Sequence, residues 1–157
     1  MEHSLTEGAQ MSDDKNAAKE LVETLKDGER GFASAAEKLR DGDRAGWAMA
    51  LQNLSEQRAG FQREIVELGH EYHEDVDESG SAAAALHRGW ISLKDALTGD
   101  DAGSVLGAAV TGENHAVSEF EKALEQDLSP GFREVVARQH AAVVVARDEI
   151  KALHDGA

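Results

Sequence analysis

The sequence predicts an all-α protein, and three observations favour helices over strands. The chain has 157 residues with one proline and 4% aromatic residues, whereas β-strands favour β-branched and aromatic side chains. Alanine, glutamate and leucine are frequent, and these residues are good helix formers. Apolar residues also recur at steps of three and four over long segments, which is the spacing of one helix face.

Two long helices are predicted in the first half of the chain, over residues 15–40 and 44–73. An Asp-Gly-Asp turn at residues 41–43 ends the first helix. Because this turn is short, the two helices should be antiparallel neighbours. Residues 1–14 are polar and are predicted to form a flexible segment. The remaining residues, 15–157, have the size of one domain and are predicted to form a single helical bundle.

The second half begins with an acidic connection and continues with three more predicted helices. A short helix over residues 82–97 ends at a Thr-Gly pair, a long helix follows over 101–126, and Ser129-Pro130 begins the last one. The predicted architecture is therefore two antiparallel helix pairs joined by a long crossover that contains a short fifth helix. A four-helix bundle with one long crossover is typical of the ferritin-like folds.

Each long helix interrupts its apolar repeat near its middle with one polar residue, and these residues are Glu29, Arg58, Glu113 and Gln139. Counted from the turns, all four lie at similar heights in the predicted bundle. Buried charges must find partners, so we predict one buried polar network at this level. One or more of these positions could instead rotate to the bundle edge, because helices drift relative to a strict seven-residue repeat.

The same four positions raise the question of a metal site. Di-iron carboxylate bundles place one Glu on each of two helices and a Glu-x-x-His motif on each of the other two. Glu29 and Glu113 are placed like the single glutamates, but Arg58 and Gln139 stand where the two motifs should begin. A fixed cation and a neutral amide are poor ligands for iron. We therefore expect no metal and no cofactor, with Arg58 neutralising both glutamates in a degenerate di-metal site.

Two further features of the helices bear on binding and packing. His70, His73 and Glu74 have a spacing that could hold a metal ion, although we expect them to lie on a solvated face because apolar neighbours point inward. Trp90 is expected to anchor the crossover in the core. The glycines inside helices, such as Gly31 and Gly112, are costly there and are expected to permit tight packing.

Composition excludes several functional classes. The chain has no cysteine, which excludes disulfides, thiolate catalysis and iron–sulfur clusters. Its net charge of −15 disfavours nucleic acid and anionic membrane surfaces as partners. It contains neither an apolar run long enough to span a bilayer nor an apparent targeting signal, so we expect a cytoplasmic protein.

The last helix is more apolar than one bundle seam requires. Residues 135–137 and 141–146 are valine or alanine, and together they cover most of the helix circumference. Either the crossover helix or a second copy of the protein must cover part of this surface. We expect a homodimer that forms through this fourth long helix, since symmetric dimers are the commonest oligomers.

Four segments of the chain carry a resemblance to a known family. They are ETLKDGERGF (23–32), QRAGF (57–61), LHRGWISLKDALTG (86–99) and RQH (138–140). These segments resemble a bacterial family of four-helix-bundle proteins in the ferritin-like superfamily, a domain of unknown function of the 2383 type. The resemblance covers about residues 16–154, and its most specific part is the crossover. Near residue 140 and over 143–145 the last helix departs from the family pattern.

The resemblance implies a ferritin-like fold with no established activity and a possible association with bacterial stress proteins. It transfers no catalytic residue. Together with the four seam residues, it favours a non-enzymatic bundle with a structural polar network. The alternative is a di-iron or other metal-binding protein, an oxidase or a storage protein, with a non-standard site.

Overall fold

The computed structural model describes residues 2–42, 44–71 and 88–156, and within these ranges it contains helices and no strand. A short 3₁₀ turn at Arg88–Trp90 precedes the third helix. The α-helices are α1 (Glu2–Arg40), α2 (Ala45–Glu71), α3 (Ile91–Thr98), α4 (Ala102–Leu124) and α5 (Pro130–Asp155). The four long helices and the short α3 confirm the predicted all-α bundle.

The long helices pack as the short connections require. α1 packs extensively along α2, and α4 packs along α5, which gives the two predicted antiparallel pairs. The pairs meet mainly through α1 and α4, whereas α2 and α5 approach each other less closely. Pro130 occupies the first turn of α5, where its missing N–H costs no helical hydrogen bond.

The first helix begins earlier than the predicted start at residue 15. Its backbone is helical from Glu2, and the side chains of Asp13 and Asp14 already contact the bundle. Asp14 is buried, and its carboxylate accepts hydrogen bonds from the Ser129 amide at 2.9 Å and hydroxyl at 2.6 Å. Asp13 and Asp14 therefore contact the connection between α4 and α5, and the predicted domain boundary at residue 15 stays a prediction. The flexibility of the residues before them stays a prediction.

The crossover is described from Arg88 onward, and the part of the predicted 82–97 helix before that residue lies outside the described residues. Trp90 is 1% exposed and lies in a slot between α1 and α4. A Cβ atom at Gly31 or Gly112 would come within 2.3 or 2.2 Å of the indole ring. Phe32 closes the slot with an edge-to-face contact at 4.9 Å between ring centroids. Both glycines make room for Trp90, which confirms their predicted role in tight packing.

The core consists of two apolar clusters stacked along the bundle axis. One contains Leu25, Ile65 and Phe120, together with the first half of α5. The other contains Phe32 and Leu51 and surrounds Trp90. On α1, α2 and α4, the boundary between the two clusters falls at the level where the sequence predicts the polar layer.

Candidate functional site

The boundary between the apolar clusters holds a buried ion pair between α2 and α4. Arg58 donates from Nη1 to Glu113 Oε1 at 2.5 Å and from Nη2 to Oε2 at 2.6 Å. The side chains are 1% and 0% exposed. Two parallel charge-assisted hydrogen bonds are the strongest arrangement available to an arginine and a carboxylate. The pair therefore satisfies both charges without water.

Neighbouring groups hold the Arg58 side chain in this position. Its Nε donates to the side-chain oxygen of Gln57 at 3.1 Å. The guanidinium also lies 5.2 Å from the centroid of the Phe32 ring, a distance at which a cation is attracted to an aromatic face. On the α1 side the chain passes Gly28, where an added Cβ would lie 3.6 Å from Arg58 Cγ and Nη1. Arg58 thus contacts α1 through the Phe32 ring and through the backbone at Gly28, which carries no side chain.

Gln139 is also buried, but it belongs to a different hydrogen-bonded group. Its Nε2 donates to Glu64 Oε1 at 2.8 Å and to the Phe61 carbonyl at 3.4 Å. Glu64 in turn pairs with Arg138 at the surface. Within the described part of the chain, the Gln139 Oε1 atom has no hydrogen-bond partner. Gln139 therefore links α5 to α2 and connects the core to a surface ion pair.

The prediction that Glu29 belongs to the buried network is wrong. Glu29 is only half-buried, and its carboxylate accepts a hydrogen bond from Gln62 Nε2 at 2.6 Å. Its backbone carbonyl accepts another from the Ser55 hydroxyl at 2.8 Å. Gly28 occupies the central seam position of α1, so the next residue turns to the edge between α1 and α2. This is the rotation that helix drift allows.

The structure therefore divides the four predicted residues among three contacts: Arg58 with Glu113, Gln139 with Glu64, and Glu29 with Gln62. Sequence reasoning missed Glu64 and Gln62, because both lie one position beside the apolar repeat of α2. The mid-helix Gly28 was the available signal that α1 presents its backbone to Arg58 at this position.

The second set of predicted ligands is only partly described. His73 and Glu74 lie outside the described residues, and His70 is described only as part of the α2 backbone. Across residues 2–42, 44–71 and 88–156, no three His, Cys, Asp or Glu side chains come together in a way that could hold a metal ion. In the same ranges, no helix combines the length and the apolar character needed to cross a bilayer.

Comparison with known proteins gives a family and a structural relative. The model of the family described as Domain of unknown function (DUF2383) matches residues 14–126. No curated protein matches the chain. Among solved structures, a mutant of Dps1 from Mycobacterium smegmatis is similar with a TM-score of 0.79 and 13% sequence identity, over 92% of this chain and 97% of that one. This likeness confirms the predicted ferritin-like fold.

Proposed function

The chain belongs to the family described as Domain of unknown function (DUF2383), and we propose a function for it from the geometry of its buried polar residues. It is a non-enzymatic ferritin-like bundle in which an ion pair takes the place of a di-metal centre. Its role is to bind other protein chains through its surface. The resemblance to a family mentioned alongside bacterial stress proteins supports a stress-associated setting for that role.

The bidentate contact between Arg58 and Glu113 is the observation that carries this proposal. Both carboxylate oxygens of Glu113 accept hydrogen bonds from the guanidinium, so neither is available to coordinate a metal ion or to take a proton from a substrate. The Arg58 guanidinium already supplies the counter-charge of the Glu113 carboxylate. A fixed positive charge at this position also repels a divalent cation.

The other residues at this level do not fit a ferritin-like metal centre either. That centre needs carboxylates from all four helices and two histidines. α5 supplies the neutral Gln139, whose amide nitrogen points at Glu64. The carboxylate of Glu29 lies on Gln62 at the edge between α1 and α2. Of the two predicted glutamates, only Glu113 is buried, and its carboxylate is already neutralised by Arg58.

Metal analysis of the purified protein tests the proposal. The protein should be purified without a histidine tag from cells grown with added iron and manganese, dialysed without chelator, and analysed by mass spectrometry for metals. We expect far less than one metal ion per chain. Iron or manganese near one or two ions per chain would instead establish the metal-binding alternative.

A matched variant makes this measurement sharper. Gln139→Glu adds a carboxylate at the buried level and leaves the ion pair of Arg58 and Glu113 in place. If the ion pair excludes metal, this variant should stay as metal-free as the natural chain. Metal uptake by Gln139→Glu with Arg58 unchanged would show that the guanidinium does not prevent binding.

We further propose that two copies associate through α5. Ala137, Ala141 and Val145 are exposed and lie four residues apart, so they share one face of the helix. Val145 is 56% exposed, and Val144 beside it is only half-buried. Burial of this stripe against its copy would form a symmetric interface.

Sedimentation velocity tests the dimer. We expect a dimer for the natural chain and a monomer for Val145→Glu, because an unpaired charge within a small apolar interface is costly. Met49→Glu is the matched control, since Met49 is 68% exposed on α2 and lies outside the stripe. A monomeric natural chain, or equal dimerisation of all three proteins, contradicts the proposed interface.

A further inference from the structure

A cavity of about 520 Å³ lies at one end of the bundle, where α2 and α4 begin and α5 ends. It is far from the buried ion pair and shares no residue with it. Its lining includes a cation, an indole ring, an imidazole and a hydroxyl, and these belong to Arg44, Trp47, His154 and Ser104. This combination is rich in hydrogen-bond donors.

Arg44 supplies the positive charge of this cavity. Its guanidinium carbon lies 4.4 Å from the centroid of the Trp47 ring, so the planar group is held against the indole face. Among the residues that the structure describes, none forms a hydrogen bond or an ion pair with the Arg44 guanidinium. Arg44 also lines a second cavity of about 370 Å³, which shares Asp101 and Ala102 with the first. Its N–H donors are therefore held in place and open to a ligand.

The cavity lining also includes one carboxylate, that of Asp101. Asp101 is the N-cap of α4, and its Oδ1 accepts from the Gly103 amide at 3.0 Å while its Oδ2 accepts from the Ser104 hydroxyl at 2.9 Å. Both oxygens are thus engaged by their own helix. Across the cavity, Gly107 leaves space for the imidazole of His154, since an added Cβ would lie 3.3 Å from its Nε2.

We propose that this cavity binds a small anion that carries a carboxylate or a phosphate group. A guanidinium presents two parallel donors that match either group, and the Trp47 ring keeps the guanidinium plane fixed before the ligand arrives. The His154 imidazole lines the same cavity. The net charge of −15 disfavours non-specific attraction of anions, so binding depends on this local arrangement.

Two tryptophans make the proposal directly testable by NMR. Trp47 lines the cavity, whereas Trp90 is buried between α1 and α4. The two indole N–H signals of ¹⁵N-labelled protein should be followed during titration with inorganic phosphate and, separately, with acetate at constant ionic strength. Trp47→Phe identifies the Trp47 signal. We expect a saturable shift of the Trp47 signal and no shift of the Trp90 signal.

Matched arginine variants separate a site from general attraction. Arg44→Gln should weaken binding by about tenfold or more, the loss typical of a hydrogen bond to a charged group. Arg63→Gln should leave it unchanged, because Arg63 is also exposed on α2 but lies outside the cavity. An unshifted Trp90 signal shows that each variant keeps its fold.

The outcomes discriminate clearly. Saturation with phosphate alone assigns a phosphate-bearing ligand, and saturation with acetate alone assigns a carboxylate-bearing one. A shift that never saturates, or an equal loss in Arg44→Gln and Arg63→Gln, overturns the proposal. The absence of any shift with both anions also overturns it.

Discussion

At the scale of single residues, the buried pair of Arg58 and Glu113 sets the position of α2 against α4. Removing two charges from water is costly, and their attraction offsets that cost only with good geometry. The bidentate contact supplies this geometry. Such a pair stabilises little compared with apolar residues of similar volume, but it strongly disfavours any register that would separate the charges.

We expect Arg58→Met to destabilise the fold by about 3–5 kcal/mol, because it leaves the Glu113 carboxylate buried without a counter-charge. Urea denaturation followed by circular dichroism measures this loss. Arg63→Met on the same helix, at an exposed position, should change the free energy of unfolding by less than about 0.5 kcal/mol.

The double variant Arg58→Met with Glu113→Leu should recover most of the loss, because it removes both charges. If the single variant loses less than about 1 kcal/mol, the pair does not experience a dry interior and its assignment as a buried ion pair fails.

Residue-scale prediction from the sequence succeeded where one side chain determined the outcome. Arg58, Glu113 and Gln139 are buried as predicted, because each replaces an apolar residue at the centre of its seam. The prediction failed at Glu29. α1 has apolar residues along two adjacent seams, and the apolar repeat alone does not decide which seam faces the core. The pairing of Gln139 with Glu64 depends on the rotation of two helices, which the sequence does not reveal.

Two mid-helix glycines should respond to alanine in opposite directions. Gly112→Ala should destabilise by about 1–3 kcal/mol, because its methyl group would overlap the Trp90 ring. Gly60→Ala should stabilise by up to about 1 kcal/mol, since the nearest atom to its Cβ is the flexible Arg63 side chain at 3.8 Å. Thermal unfolding of both variants measures the difference, and stabilisation by Gly112→Ala would contradict the described slot.

At the scale of elements, the start of α1 is fixed by the connection between α4 and α5. Asp13 accepts a hydrogen bond from the Asp127 amide at 3.1 Å, and Asp14 accepts two from Ser129. Sequence periodicity located every long helix but missed this start. This start depends on contacts between residues more than 110 positions apart. A periodic pattern within one helix carries no information about such contacts.

We expect Asp14→Ala to destabilise the fold by about 1–3 kcal/mol, because it leaves the half-buried amide and hydroxyl of Ser129 without their acceptor. Asp13→Ala is the graded control, since its hydrogen bond is exposed to solvent and its loss should cost less. Urea denaturation provides the comparison, and hydrogen exchange should show faster opening at the start of α5 in Asp14→Ala. Equal losses in the free energy of unfolding for the two variants would show that the burial of Asp14 adds nothing to stability.

At the scale of the whole molecule, the net charge of −15 implies repulsion among surface carboxylates that opposes the compact state. Added salt screens this repulsion over distances of about 10 Å at 0.1 M. We expect Tm to rise by about 2–4 °C between about 10 and about 200 mM sodium chloride. A rise of this size corresponds to a gain of roughly 1 kcal/mol in the free energy of unfolding for a chain of this length. Choline chloride should act equally, and a Tm that falls with both salts would contradict the expectation.

The slot around Trp90 also constrains the order in which the chain folds. Its two glycine walls belong to α1 and α4, at positions 31 and 112, so the slot does not exist until these distant helices lie side by side. Closing so long a loop has an entropic cost that must be met before the indole gains its contacts. The crossover therefore reaches its final position only after α1 and α4 have assembled, and burial of Trp90 marks completion of the fold.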